Sequence, residues 1–204
     1  MDLNNLVCPS CGAPVKLKNR FVQVAVCEYC EQTLVVQDDK LDPTGKTAKM
    51  TEYPTPFKIG RFGQLKGKDF EVIGMVRYEY EEGFWDEWCL NMAGEKLMWI
   101  EEDEGLFRSF ERIRIKSAIQ PWDEVYPGSL ITINNIEIFI TEKNSAKILG
   151  AVGNLTVKRI PGTTLKYLDG TGDEKQFTIE FYENSINLKT GDDLNRSDFT
   201  FKEE

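Results

Sequence analysis

Phe70-Glu71-Val72-Ile73-Gly74-Met75-Val76-Arg77-Tyr78-Glu79-Tyr80 is the stretch on which the fold turns. Phe70, Val72, Gly74, Val76, Tyr78 and Tyr80 fall on one face of an extended chain, and Glu71, Ile73, Met75, Arg77 and Glu79 on the other. A period of two belongs to a strand, whose successive side chains point to opposite faces, and not to a helix. Working outward, the pattern resumes at Phe84, with Trp88, Leu90 and Met92 on one face and Trp85, Glu87, Cys89 and Asn91 on the other. Ala93-Gly94-Glu95 reads as a turn, Lys96 to Glu101 as a strand around Trp99, and Glu102 to Gly105 as a second turn before Leu106-Phe107. These are consecutive antiparallel hairpins, a meander.

The second half repeats the style. Leu130 to Ile133 and Ile136 to Ile140 flank Asn134-Asn135, a two-residue turn that suits Asn because Asn tolerates positive φ. Strands follow at 146–152, 155–160, 164–168 and 176–182, the last with Phe177, Ile179 and Phe181 on one side, and then at 186–188. Only 108–118 lacks a clear strand pattern and reads as an irregular link. Its Arg108, Arg112, Arg114 and Lys116 alternate with Phe110, Ile113 and Ile115, as on an edge strand guarded by charge, or as a patch that meets the acidic region of another copy. No long segment shows a helical period. The fold class is all-β: an antiparallel barrel or sandwich over 57–204, divisible into subdomains 57–122 and 127–204 that meet near Pro121–Pro127.

Ahead of it lies a smaller unit. Cys8 and Cys11, then 15 residues, then Cys27 and Cys30, make paired C-x2-C turns. In a reducing compartment this spacing reads as a metal site, since two residues between thiols let one tight turn aim both sulfurs at one ion. Two such turns complete a tetrahedral thiolate shell suited to structural Zn²⁺. Gly12 follows the first turn, where a left-handed backbone is often needed, but Glu31 follows the second. Short strands between and after the turns make residues 1–40 a zinc ribbon, too small to fold without its metal. The fifth cysteine, Cys89, sits between Trp88 and Leu90 and reads as a buried structural thiol. Residues 41–56, with Pro43, Gly45, Pro54 and Pro56, read as a linker that follows Gln37-Asp38-Asp39-Lys40.

Composition narrows the function. The 204 residues hold 25 Lys and Arg against 34 Asp and Glu, a net charge of −9, and no histidine. That removes the imidazole shuttle, the histidine-based nucleophile pairs and the histidine metal ligands. The acidic balance argues against nucleic acid as a partner, and the ribbon's Lys16, Lys18 and Arg20 are outnumbered by acids over residues 1–45. Met1 to Val7 carries no basic or apolar leader pattern, and no run approaches the roughly 20 apolar residues of a spanning helix. The expected location is therefore cytoplasmic, without membrane insertion.

Between Val76 and Glu104 lie ten carboxylates and only two cations, Arg77 and Lys96, interleaved with Trp85, Trp88 and Trp99. Solvated loops are the simplest reading. Beside it stand a protein-binding surface with Trp85, Asp86, Glu87, Trp88 and Trp99 as its residues, and a paired-carboxylate active site. Gly170-Thr171-Gly172-Asp173 lacks the lysine and following helix of a phosphate loop and is set aside.

Several of these residues also carry a resemblance. Gly63-Gln64-Leu65-Lys66-Gly67-Lys68-Asp69-Phe70-Glu71-Val72-Ile73-Gly74, Trp85-Asp86-Glu87-Trp88, Trp99-Ile100-Glu101-Glu102 and Glu104-Gly105-Leu106 resemble the bacterial domain-of-unknown-function family 4178. So do Thr141-Glu142, Gly153-Asn154-Leu155, Gly162, Tyr167-Leu168-Asp169 and Thr178-Ile179-Glu180-Phe181, so that the resemblance covers about 60–192. It implies an N-terminal zinc ribbon in many members, no enzymatic activity, and genes that sit near phage-shock-type membrane-stress proteins and polyamine-synthase-like membrane proteins. At 153–156 the family pattern would be Gly-Glu-Leu-Pro, and Asn154 and Thr156 replace the acid and the proline.

The function expected is that of a non-enzymatic zinc-ribbon adaptor that engages a protein partner, tied through the resemblance to a membrane-associated stress or polyamine-related assembly. The alternatives are a nucleic-acid-binding regulator that uses the ribbon, and a carboxylate-dependent hydrolase.

Overall fold

The computed structural model describes residues 6–37, 40–47, 50–51, 53–93 and 96–202. The first five residues, Asp38 and Asp39, and Gly94 and Glu95, on which a turn is expected, lie outside the described residues. The chain is all-β, as the alternation predicts. The ribbon region holds β1 (Leu6–Val7), β2 (Pro14–Val15), β3 (Val24–Val26), β4 (Gln32–Gln37) and β5 (Lys40–Thr47). After it come β6 (Phe62–Leu65), β7 (Lys68–Glu79), β8 (Phe84–Met92), β9 (Lys96–Asp103) and β10 (Leu106–Ile113). The second half holds β11 (Leu130–Ile133), β12 (Ile136–Leu155), β13 (Thr164–Gly172), β14 (Lys175–Tyr182), β15 (Ser185–Leu194) and β16 (Phe199–Phe201). Asn134 and Asn135 both take positive φ, as their turn requires. No helix among the described residues is long and apolar enough to cross a membrane.

The sheet closes on itself. β7 pairs with β8, β8 with β9, β9 with β10, and β10 with β15; the path returns through β14, β13 and β12, and β12 pairs back to β7, every pair antiparallel. Closure removes the open edges that an eight-stranded sheet would otherwise expose. Each half of the domain supplies one four-strand meander, so the stretches 57–122 and 127–204 are two half-barrels of one sheet. Residues 108–113, expected as an irregular link or a guarded edge, form most of β10, which is paired on both sides. Arg108 answers acids on both neighbouring strands, Glu101 at 3.4 Å and Asp193 at 3.0 Å, and Arg112 donates to the Asn187 side-chain oxygen.

The alternation from Phe70 to Tyr80 is interrupted. Val72 faces Leu90 and Gly74 faces Cys89, which leaves Ile73 as an extra residue in β7. A bulge of this kind shifts the phase of every side chain beyond it. Phe70, Val72 and Met75 therefore share one core with Phe57 and Trp88, whereas Val76 and Tyr78 join Ala146, Ile148 and Leu165 in another. The barrel wall is covered on both sides. Phe57, Leu65 and Phe199 cap one outer face, and Val125, Ile131 and Ile133 pack against Leu168, Phe177, Ile179 and Leu188 on another.

The ribbon is joined to this barrel by hydrogen-bonded strand. β3 pairs with the end of β12, Ala25 against Asn154 and Val24 against Leu155. Lys18 donates its backbone N–H to Asn154 Oδ1 at 2.8 Å, and its ammonium meets Glu71 at 2.6 Å. The position where the sequence departs from the resembled family pattern is thus where the ribbon docks. The stretch 41–56, expected as a linker, begins inside β5, an edge strand on which Pro43 is tolerated because an edge can lack an N–H.

Gly74 sits where β7 and β12 cross. A Cβ there would lie 2.2 Å from the Asn154 carbonyl oxygen and 2.8 Å from its carbon. Gly74→Ala is expected to destabilise the chain by about 1–3 kcal/mol, the usual range for overpacking. A urea midpoint unchanged from the parent would contradict the close crossing.

Candidate metal centre and barrel lumen

Two places in this fold gather chemistry. The first is the cysteine cluster, built from two turns with the same hydrogen bonds. Gly12 N–H donates to the Cys8 carbonyl at 2.8 Å and Glu31 N–H to the Cys27 carbonyl at 2.9 Å; Cys8 N–H donates to Ala13 and Cys27 N–H to Gln32. Gly12 has φ +76° and Glu31 φ +57°, so the glutamate adopts the left-handed conformation that glycine adopts in the first turn.

The four sulfurs all lie within 4.8 Å of one another, with Cys8 to Cys30 and Cys11 to Cys27 both at 3.7 Å. A disulfide would need about 2.05 Å. A tetrahedral zinc ion with Zn–S bonds of about 2.3 Å sets its sulfurs about 3.8 Å apart. The residues therefore fit the ion, and with all four positions filled by thiolate no position is left open for substrate. The thiols also conflict when no cation separates them. Burial pushes Cys8 up, yet the backbone N–H groups of Ser10 and Cys11 and the nearby sulfurs bring it down to about 7. Cys30 goes the other way, to about 12: the Gln32 amide lowers it, but burial and the other three sulfurs prevail. A central cation resolves that repulsion.

The second place is the barrel lumen, a cavity of about 100 Å³. Glu87, Glu101, Asp103, Glu142, Asp169 and Glu180 line it, with Tyr80, Trp85 and Tyr167. At its inner end is a buried ion network. Lys189, only 7% exposed, reaches Glu87 and Glu180 at 2.6 Å each. Arg159 reaches Glu180 at 3.0 Å and donates to the Tyr78 hydroxyl at 2.8 Å, and that hydroxyl donates to Glu87 at 3.3 Å. Burial pushes the Glu180 carboxyl up, but Lys189 and Arg159 outweigh it and hold it well below the usual carboxylate range.

Toward the mouth the acids outnumber the cations. Among the described residues Glu101 forms an ion pair only with Arg108, which Asp193 shares, and feels Lys189 from further off. Asp169 accepts from the Thr178 hydroxyl at 2.6 Å, and Glu142 from the Tyr167 hydroxyl at 2.7 Å. Burial, reinforced by Asp169 and opposed by Arg108, pushes Glu101 up to about 8; burial likewise raises Asp169 to about 6. Asp103 is raised by burial and by Glu104 and Glu142. Asp103 Oδ1 and Trp85 Nε1, both wholly buried atoms of lining residues, have no hydrogen-bond partner among the described residues. Exposed Glu81, Glu82 and Glu104 lie in the turns that follow β7 and β9. Glu82, Glu104 and Glu142 all act on Tyr80, which places this charge around the mouth.

The expected partner-binding residues fall in the barrel wall. Asp86, Glu87 and Trp88 are each 4% exposed and present no surface to a partner. Asp86 forms a two-pronged ion pair with Arg77, at 2.7 and 2.6 Å. Trp88 stacks on Phe57 and donates to Glu102 at 2.8 Å. Trp85 stacks on Tyr78 inside the lumen, and half-buried Trp99 packs against the same core. Polar residues on strands with covered faces carry these positions inward. Cys89 is fully buried, and burial pushes its thiol up to about 12, as for a structural cysteine.

Sequence reading quoted Asp169 and Glu180 only within the resemblance, with no role, and passed over Lys189 and Arg159. Two of them had a signal: Glu180 pairs with Asn187 and Thr178 with Lys189 across the β14–β15 hairpin, which puts polar groups of opposite charge together on one face.

A family model described as a domain of unknown function, DUF4178, matches residues 58–196. No curated protein and no solved structure matches the chain.

Proposed function

The chain belongs to the DUF4178 family, and from that premise we propose that it is a non-enzymatic binding protein whose ribbon is held by structural Zn²⁺ and whose lumen takes a small ammonium cation. The observation that carries this reading is the composition of the lumen: six lining carboxylates, only three cations paired to them among the described residues, and aromatic walls. Glu101, Asp103 and Asp169 are half-buried, where a carboxylate short of counter-charge is costly, and an ammonium ion supplies both the charge and N–H donors. Tyr80, Trp85 and Tyr167 add ring faces suited to a cation. The exposed acids around the mouth would draw cations toward it.

A hard metal ion suits the lumen less well. Among the described residues only the four cysteines bring three or more ligand atoms into metal-binding range. The dispersed carboxylate oxygens match a ligand with several hydrogen-bonding directions. Size limits it to a few heavy atoms, because a cavity of about 100 Å³ is below the roughly 300 Å³ at which pockets for larger ligands begin.

The test is calorimetric titration of the zinc-loaded protein with methylammonium and ethylenediammonium chloride. Saturable binding is expected for at least one, no tighter than tens of micromolar, because four heavy atoms at a ceiling of about 1.5 kcal/mol each give about 6 kcal/mol. Asp169→Asn is expected to weaken it at least tenfold. Heat no different from that of sodium chloride at equal ionic strength would overturn the reading, and tighter binding of Mg²⁺ or Ca²⁺ would replace it with a metal site.

One observation favours a second reading. Glu101, a half-buried acid raised to about 8, is the kind of group a carboxylate-dependent hydrolase uses as general acid. The cavity is too small for a sugar ring, so the first reading is preferred. Recruitment of a protein partner, in the cytoplasm or at a membrane assembly, would have to use surfaces other than Trp85–Trp88. For nucleic acid the ribbon offers little, since Lys18 is engaged by Glu71.

A further inference from the structure

We propose that the lumen stores a proton on Glu101 at neutral pH and releases it as the medium becomes alkaline, which makes the barrel a pH-responsive element. The geometry is that of an unbalanced charge set enclosed by a closed wall. Glu101 on β9 is faced by Glu87 on β8, Arg108 on β10, Glu142 on β12, Asp169 on β13, Glu180 on β14 and Lys189 on β15. Asp103 lines the same cavity from β9 itself.

The cations are already committed. Lys189 is divided between Glu87 and Glu180, Arg159 serves Glu180 and Tyr78, and Arg108 is shared with Asp193 outside the cavity. Glu101 and Asp169 line the same cavity and share the fields of Arg108 and Lys189, neither cation being theirs alone, and like charges in a low-dielectric site do not both ionise readily. Asp169 holds the better acceptor position, with the Thr178 hydroxyl at 2.6 Å, so the proton resides on Glu101.

The consequence has a definite sign. Glu101 titrates near 8 in the fold and near 4.5 when unfolded, so the folded state binds more protons across that interval. Stability is then greatest below about 4.5 as far as this group is concerned, and is lost as pH rises toward 8. Asp169, raised to about 6, adds to the loss only below that pH, so the interval from 6 to 8 reports on Glu101. If an ammonium ion enters, as the proposed function holds, the Glu101 carboxyl becomes carboxylate beside it and its proton passes to solvent, one cation exchanged for another. Ammonium affinity should therefore rise with pH over the same interval.

The test needs no ligand. Zinc-loaded protein carrying ¹³C at the glutamate side-chain carboxyls is titrated from pH 5 to 9 by NMR. One carboxyl is expected to remain protonated at pH 6.5 and to lose its proton near 8. Glu101→Gln should remove that resonance, and Glu142→Gln should leave it. In parallel, the Tm of the parent should fall by on the order of 5 °C between pH 6 and 8, with a flatter profile for Glu101→Gln. If that variant does not fold, the parent titration alone decides. All glutamates ionised by pH 6 would overturn the proposal. A protonated Glu101 in a protein that binds no ammonium would leave the proton store standing and remove the ligand reading.

Discussion

Lys189→Met is expected to cost about 3–5 kcal/mol of folding stability. The methionine keeps much of the volume but leaves Glu87 and Glu180 without the ammonium that both now touch at 2.6 Å. Both acids are nearly inaccessible to water, so the loss is the cost of two uncompensated charges rather than of two surface ion pairs. The exposed pair Lys96–Glu111, at 3.4 Å with both side chains about two-thirds open, is the internal control. Lys96→Met should change stability by less than about 0.5 kcal/mol. The same network predicts acid sensitivity. Glu180 is held low by Lys189 and Arg159, so its contribution is present above the ordinary glutamate pKa and is lost as the pH falls below it. Urea denaturation at pH 7 and pH 3 checks both statements. A loss below about 1 kcal/mol for Lys189→Met would mean that the lumen is wet enough to screen its charges.

Removal of the metal should have the other large effect. Tetrathiolate zinc sites contribute on the order of 10 kcal/mol to the folding of small modules. Cys27→Ser, or a strong chelator, is expected to release about one equivalent of zinc and to unfold residues 6–37, with loss of amide protection at Val24, Ala25 and Val26. The closed barrel should stay folded, because its eight strands pair without the ribbon; only the end of β12, at Asn154 and Leu155, should lose protection. Hydrogen exchange with and without chelator separates the two regions. Full zinc content in Cys27→Ser, or less than half an equivalent in parent protein never exposed to chelator, would contradict the tetrathiolate reading.

The metal centre was legible because its geometry is local. Paired C-x2-C turns need only a few residues each to aim two sulfurs, and the folded turns repeat the same hydrogen bonds around Cys8 and Cys27. Even Glu31, which departs from the usual glycine, adopts the glycine's conformation. The all-β class was legible for the same reason, because alternation is written residue by residue. The bulge at Ile73 was not. It inserts one apolar residue between apolar neighbours, and nothing in the local pattern marks the change of face.

The lumen was hidden by a more general ambiguity. Alternation shows that Thr178 and Glu180 share one face of β14 and Phe177 and Ile179 the other, but not which face meets water. In a lone antiparallel sheet the polar face is solvated. Here the outer face is covered by Val125, Ile131 and Ile133, and the polar face closes inward. Asp86, Glu87 and Trp88 illustrate the same ambiguity, since an acidic, aromatic strand looks like a docking surface until these side chains prove to be buried. Only the pairings β7–β12 and β10–β15, between residues far apart in sequence, decide the matter.

The central claim is that a cation belongs in this lumen, and Trp85 is placed to report it. Its indole N–H is buried, without a partner among the described residues, and part of the cavity wall, whereas the Trp88 and Trp122 indoles donate to Glu102 and to the Tyr167 carbonyl. In a ¹⁵N-resolved NMR titration of the zinc-loaded protein with ethylenediammonium chloride, the account predicts that the Trp85 indole resonance moves saturably while those of Trp88 and Trp122 stay in place. Indole resonances that do not move, or that drift together in proportion to ionic strength, would contradict it.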